Sequence, residues 1–243
     1  MGFPSRYRAM SPGKPLGSML FYDFCWNCCW LLLTVFYRLR TWGGENVPLT
    51  GPFLLVVNHQ SHLDPIVAGM AVRPRHLSFM AKSGLFSNKF FGWLIGNLNS
   101  VSLKQGAADT AAIRAAIEQL EAGRAMLIFP EGTRTGDGAM HPFKKGAWVI
   151  LSRAKCPVLP VAVEGCFDAW RRGQGTPKLI GQRVAALVGK PIDPEFLLAM
   201  GPERGLKYLQ ATIETQRLEL VAKLAASGHR VTTKPPSDVE ELA

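Results

Sequence analysis

Four short runs without a polar residue constrain this chain more than any other feature: Phe53–Val57 (FLLVV), Ala125–Phe129 (AMLIF), Pro157–Val163 (PVLPVAV) and Val184–Val188 (VAALV). A strand with one face in water alternates apolar and polar side chains. A strand that is apolar throughout must be covered on both faces, as in parallel sheets sandwiched between helices. The first run follows Gly51-Pro52 and the second is stopped by Pro130, which gives each the punctuation of a short buried strand. Helical segments are available to cover them. Residues Ala107 to Ala122 place Ile113, Ile117 and Leu120 on one face and meet Gly123, a helix-ending residue. Pro202 to Ala226 reads as one long helix. The expected fold is therefore α/β, a mostly parallel central sheet flanked by helices, and 243 residues are enough for one such domain.

Ahead of that domain, Ser18 to Tyr37 contains twenty residues of which sixteen are apolar or aromatic. That is long enough to cross a bilayer. Asp23, Asn27 and Thr34 fall within about 40° of one another on a helix, and Arg38 continues their line. Asp23 at the bilayer centre would cost about 2.5–3.5 kcal/mol, a cost that a helix lying in the interface avoids. Basic residues flank both ends, so charge does not select an orientation. The preferred reading is a monotopic or re-entrant anchor, with a true span and a buried core helix as alternatives. Cys25, Cys28 and Cys29 lie within this run and lack a second pair to form a zinc site, which leaves them as small apolar residues. Trp26, Trp30 and Trp42 suit either a membrane interface or ordinary packing. The expected organisation is an N-terminal membrane-anchoring segment at 1–40, a catalytic domain at 41–226, and a disordered tail at 227–243 rich in proline and late acids.

Charge narrows the choice of partner. The chain has 28 Lys and Arg against 18 Asp and Glu, a formal charge of +10. Between Asp137 and Lys190 nine basic residues, Lys144, Lys145, Arg171 and Arg172 among them, face three acids. Such a surface attracts anionic membrane, an acidic carrier protein or the phosphates of a nucleotide carrier, unless it is simply a solvated face. Nucleic acid is disfavoured, because aromatic interleaving and known binding motifs are missing.

Two polar constellations follow directly on the first two strands, where open α/β sheets place their ligands. The first is Asn58-His59-Gln60-Ser61-His62-Leu63-Asp64-Pro65. His59 and Asp64 meet if the histidine lies in the turn and the aspartate in the first helical turn. A carboxylate on one imidazole nitrogen then makes the other a general base for a hydroxyl. The plainer reading makes Asn58 and Asp64 turn and capping residues. A third makes His59, His62 and Asp64 metal ligands, but no further cluster stands out to complete the shell. The second constellation is Phe129-Pro130-Glu131-Gly132-Thr133-Arg134. Here Gly132 permits close backbone approach, Thr133 offers a hydroxyl and Arg134 a planar fork suited to phosphate. Neither loop holds a serine in a nucleophile elbow, which leaves the substrate's own hydroxyl as the nucleophile.

Asn58-His59-x4-Asp64, then Phe129-Pro130-Glu131-Gly132-Thr133-Arg134, then Pro157-Val158-Leu159-Pro160-Val161 resemble, in order and spacing, the glycerolipid acyltransferases. The bacterial 1-acylglycerol-3-phosphate acyltransferases are the most similar of these, and the resemblance extends over roughly residues 40 to 200. It implies that His59, oriented by Asp64, deprotonates a glycerol hydroxyl, which attacks an acyl thioester. Gly132, Thr133 and Arg134 would hold the acceptor phosphate, with Glu131 shaping the loop and Lys82 and Lys104 adding charge. It further implies no cofactor and no metal, an acyl-CoA or acyl carrier protein as donor, a lysophospholipid as acceptor, and a place on the cytoplasmic face of the inner membrane. Gly84 stands where the family usually has glutamate and Lys104 where it usually has arginine, a change that keeps the charge and loses the fork. Another lysolipid or alcohol acceptor therefore stays open as an alternative, as does a metal-dependent hydrolase.

Overall fold

A computed structural model of the chain describes residues 7–73, 75–103, 109–232 and 234. The elements run α1 (Leu16–Tyr37), β1 (Arg40–Trp42), β2 (Phe53–Val57), α2 (Asp64–Ala71), β3 (Leu77–Lys82), α3 (Lys89–Asn97), β4 (Ser100–Leu103) and α4 (Asp109–Glu121). They continue with β5 (Ala125–Ile128), α5 (Lys145–Ala154), β6 (Val158–Glu164), α6 (Cys166–Trp170), β7 (Ala185–Val188), α7 (Pro194–Met200) and α8 (Pro202–Ala226). The strands form one seven-stranded sheet of order β1-β7-β6-β2-β5-β3-β4. Every neighbouring pair is parallel except β6 with β7. The mostly parallel α/β sheet expected from the sequence is the one found.

The apolar runs explain the layering. In β2, Phe53, Leu55 and Val57 point to one face and pack with Tyr22 and Trp26 of α1 and Val67 and Ala68 of α2. Leu54 and Val56 point to the other and pack with Leu120 of α4, Ile150 and Leu151 of α5, and Leu209, Ile213 and Leu220 of α8. β6 divides in the same way, Leu159, Val161 and Val163 against Val158 and Ala162. Both faces need hydrocarbon because both carry helices.

β3 lacks an unbroken apolar run because Ser78 faces α4, where its hydroxyl donates to Gln119 Oε1 at 3.2 Å. β4 lies at the sheet edge. The helix expected from Ala107 is seen from Asp109, the two residues before it lying outside those described, and Gly123 follows it at φ 77°.

α1 docks along one side only. Met19, Tyr22, Trp26, Leu33 and Tyr37 are buried against the body, and the Trp26 ring closes on Gly69 of α2, where any Cβ would overlap it. The polar stripe borders this buried side: Asp23 accepts from His76 Nε2 at 2.9 Å and from the Tyr7 hydroxyl at 2.5 Å, and Asn27 Oδ1 accepts from Arg73 at 3.0 Å. Trp26 and Trp42 are therefore packing residues, the latter lying beneath the Lys223 ammonium at 5.1 Å. Trp30 alone of the three remains substantially exposed.

The expected disordered tail is tied down along its described part. Arg183 donates to the Ser227 carbonyl at 2.6 Å, Asp168 accepts from the Thr232 N–H at 2.7 Å, and Arg217 donates to the Lys234 carbonyl at 2.5 Å. The remaining tail residues lie outside those described.

Candidate active site

β2, β3, β4, β5 and β6 are mutually parallel, so their carboxyl ends share one edge of the sheet, and both polar constellations open there. The turn after β2 is fixed at two points. The Asn58 side chain donates to the Val163 carbonyl at 3.0 Å and accepts from the Val163 N–H at 2.8 Å, which ties the turn to β6 as a further strand residue would. The Ser61 hydroxyl donates to the Trp170 carbonyl at 2.6 Å and accepts from the Leu63 N–H at 3.1 Å.

Between these anchors the chain turns so that Asp64 opens α2. Its Oδ2 accepts from the backbone N–H of Gln60 and of Ser61, both at 2.6 Å, and lies 2.8 Å from His59 Nδ1. Turn formation and imidazole orientation, alternatives at the level of sequence, are performed by the same oxygen, which bonds residues ahead of α2 and does not cap it. Asp64 is fully buried and His59 is 17% exposed. With Nδ1 committed to the carboxylate as donor, Nε2 is left as the basic nitrogen, and it has no protein partner among the described residues. The ring stacks on Phe129 with centroids 3.7 Å apart and planes 12° from parallel, which fixes its remaining freedom.

The loop after β5 is laced to this turn. Glu131 accepts from the His59 N–H at 2.6 Å and from the His141 N–H at 2.9 Å, while the His59 carbonyl accepts from the Thr135 N–H at 2.9 Å. Burial pushes the Glu131 carboxyl up to about 8, against the pull of its two backbone donors. Gly132 has φ 69°, and the Lys144 side chain crosses the space a Cβ would fill.

Cations collect beside the dyad. Arg134 Nη1 contacts His62 Nε2, and the His62 ring packs on Trp170 at 4.7 Å. Arg172 donates to the Thr133 hydroxyl at 3.3 Å. Burial, then the charge of Arg134, lowers the pKa of His62, and burial, then the charge of Arg172, lowers that of Arg134. Among the described residues neither guanidinium nor Lys144 has a carboxylate in ion-pair contact. Like charges gathered around a hydroxyl and a glycine form a place for an anion.

A buried network supports the turn from behind. Gln60 donates to both oxygens of Glu164 at 3.3 Å. Arg217 of α8 reaches Glu164 at 3.2 Å and Glu214 at 2.7 Å, with Arg217 and Glu164 fully buried.

Six of the eight residues singled out from the sequence, His59, Asp64, Glu131, Gly132, Thr133 and Arg134, thus meet in one cluster. Lys82 is the last residue of β3, at the same sheet edge. Lys104 lies outside the described residues. The metal reading loses its third ligand, since His62 turns to Arg134; among the described residues no group of three or more His, Cys, Asp or Glu forms a metal site. Arg172 and Lys144 were legible only as part of a basic stretch, and the structure brings both to the Gly132–Arg134 turn.

A family model described as Acyltransferase matches residues 38–164. The chain is 30% identical over 144 residues to the 1-acyl-sn-glycerol-3-phosphate acyltransferase of Bacillus subtilis, covering 59% of this chain and 71% of that one. It is 30% identical over 170 residues to the Streptococcus pneumoniae protein of the same name, covering 69% and 60%. To the chloroplastic enzyme BAT2 of Brassica napus it is 33% identical over 133 residues, 54% of this chain and only 38% of that one. The crystal structure of the 1-acyl-sn-glycerophosphate (LPA) acyltransferase PlsC from Thermotoga maritima superposes with a TM-score of 0.70 at 30% identity, covering 84% of this chain and 79% of that one.

Proposed function

The chain belongs to the acyltransferase family, and from that premise we propose that it acylates the free hydroxyl of 1-acyl-sn-glycerol 3-phosphate from a thioester, giving phosphatidic acid for phospholipid synthesis. The observation that carries this reading is the His59–Asp64 contact at 2.8 Å, laced through Glu131 to the loop that bears Arg134.

In this mechanism the acceptor phosphate rests among Arg134, Arg172 and Thr133, with Lys82 and Lys104 as further cations. The glycerol hydroxyl then reaches Nε2 of His59. As its oxygen bonds to the thioester carbonyl carbon, its proton passes to Nε2, and the imidazolium is stabilised by the buried Asp64 carboxylate. The tetrahedral intermediate collapses by breaking its C–S bond, and His59 returns the proton to the departing thiolate. Nε2 is the one group that both accepts and returns this proton. The donor is acyl-CoA or an acylated carrier protein, the latter an acidic partner suited to the basic surface.

α1 has a hydrophobic face opposite its buried one, including Leu16, Leu20, Phe24, Leu31 and Val35, which fits membrane association. The packing of its other face on α2 supports an α1 that lies in the plane of the bilayer surface rather than crossing it, and the side proposed is the cytoplasmic one.

The test is thiol release from acyl-CoA and acyl-carrier donors with a panel of lysolipid acceptors, with the product identified by mass. Wild-type protein is expected to release thiol only with an acceptor present and to form phosphatidic acid. His59→Ala is expected to abolish both. Turnover lost on chelation and restored by zinc would instead support a metal hydrolase.

A further inference from the structure

The connection between α6 and β7 begins at the active site and ends beside the membrane-facing helix. At its start Arg172 contacts Thr133. Near its tip Leu179 is 47% exposed and Ile180 is 88% exposed, the latter more than any other large apolar residue described. This exposure is not slack. The Lys178 N–H donates to the Ala169 carbonyl at 2.9 Å, the Val184 N–H donates to the Tyr37 carbonyl at 3.1 Å, and Gly181 turns the chain between them at φ 81°. Two isoleucine- and leucine-sized side chains are thus presented to solvent by a backbone held at both ends.

The tip does not stand alone. It shares a groove with Val35 and Phe36, exposed residues in the last turn of α1, and Arg38 and Arg183 line the same groove. Arg38, Arg40 and Lys178 are exposed and have no carboxylate partner among the described residues. At the opposite end of α1, Phe90 and Trp93 of α3 are exposed, with Trp93 against Phe21 at 5.2 Å. Apolar tips surrounded by free cations and continuous with the apolar face of α1 match an anionic bilayer, whose acyl region takes the tips and whose phosphates take the cations.

We propose that the Lys178–Arg183 turn is a second membrane-insertion element, which beside α1 gives the molecule a second point of attachment to an anionic bilayer. This rests on the membrane role given to α1 above. One helix lying in an interface leaves rotation about its own axis weakly defined, whereas a second point beside it fixes that rotation. Because the same connection carries Arg172, the anion-binding cluster is then held at a set height above the headgroups from which a lysophospholipid would enter.

The test uses the full chain and sedimentation with vesicles of phosphatidylcholine, with and without phosphatidylglycerol. The double substitution Leu179→Ser, Ile180→Asp is expected to weaken partition about tenfold or more on both vesicle types. Turnover of lysolipid in detergent micelles should stay within about twofold of wild type, since neither residue touches the cluster. Arg38→Gln with Lys178→Gln should weaken binding only where phosphatidylglycerol is present. Equal partition of wild type and the Leu179, Ile180 variant overturns the proposal. So does an unchanged partition accompanied by loss of a wild-type dimer, which would make the turn a contact between copies. If wild type binds neither vesicle, the membrane role of α1 itself fails, a separate outcome.

Discussion

Glu131 and His59 stand 72 residues apart in sequence, yet one Glu131 oxygen accepts the His59 backbone N–H at 2.6 Å while the other takes that of His141 at 2.9 Å. The carboxyl group is the clasp between the loop that carries the base and the loop that carries the cations. Glu131→Gln keeps its shape but turns an NH2 toward one of those two donors. A buried donor left facing a donor costs about 1–3 kcal/mol. The variant is expected to unfold at lower urea concentration and to lose kcat through a displaced His59.

The same group gives the stability a pH slope. Unfolded, Glu131 ionises near its ordinary 4.5; folded, burial raises it to about 8. Between those values the folded state holds a proton that the unfolded state has released, so stability falls as pH rises from 4.5 toward 8 and levels off above it. Glu131→Gln lacks this component. Urea titrations at acid and alkaline pH should therefore show the gap between wild type and variant narrowing as pH rises. A constant gap would mean that the carboxyl titrates alike in both states.

Asp64 offers a test that separates orientation from charge. Its Oδ2 accepts from the Gln60 and Ser61 N–H groups and faces His59 Nδ1, while its buried Oδ1 accepts no N–H among the described residues. An asparagine can place its oxygen at the first position and its NH2 at the second, leaving the turn intact. What Asp64→Asn removes is the negative charge that stabilises the imidazolium. The expected result is a fall in kcat of about 10²–10⁴ with acceptor KM little changed. If KM rises instead, Asp64 serves chiefly to shape the binding surface.

Arg172 is predicted to act on binding rather than on chemistry. Its guanidinium meets Thr133 at 3.3 Å, on the cation cluster rather than on the His59–Asp64 dyad. A charge-assisted contact to phosphate is worth about 1.5–3 kcal/mol, so Arg172→Gln should raise acceptor KM roughly tenfold and leave kcat nearly unchanged. The difference should shrink as salt is added, because the cluster is partly open to water. Steady-state kinetics at two ionic strengths decide it.

How much of this was legible in the sequence follows from where each signal lies. β2, β5 and β6 announce themselves because both of their faces are buried, which writes an unbroken apolar run into the chain. β3 breaks that rule at Ser78, a buried serine satisfied by a glutamine from α4. Nothing local marks such a long-range pair. The residues from Asn58 to Asp64 were readable because they are close in sequence and act on one another. Arg172 was not, because it reaches the cluster through the packing of α6 after β6, and a basic residue in a basic stretch looks like a solvated surface. The clasp made by Glu131 is equally silent: a glutamate before a glycine reads as a loop residue until folding buries it.

An ion cluster lies beneath the turn. Arg217, fully buried, is paired with Glu164 and Glu214, and Glu164 in turn accepts from Gln60 beside the dyad. Burial raises the pKa of Glu164, with the charge of Arg217 opposing that rise. Arg217→Met keeps the apolar stem and removes the charge that justifies a carboxylate in this place. Breaking one side of a buried pair costs about 3–5 kcal/mol, because the survivor is left charged without its partner or must take up a proton. Glu214 keeps 11% of its side chain exposed at the margin of the cluster, whereas Glu164 is fully enclosed. The loss should therefore be concentrated in Glu164, and adding Glu164→Gln to Arg217→Met should restore a substantial part of it, since Gln60 and the Gly165 N–H can still bond an amide oxygen there. Urea unfolding of wild type, both single variants and the double variant closes the cycle. Strict additivity of the two single losses would show that Arg217 stabilises α8 by other contacts and that Glu164 does not depend on it.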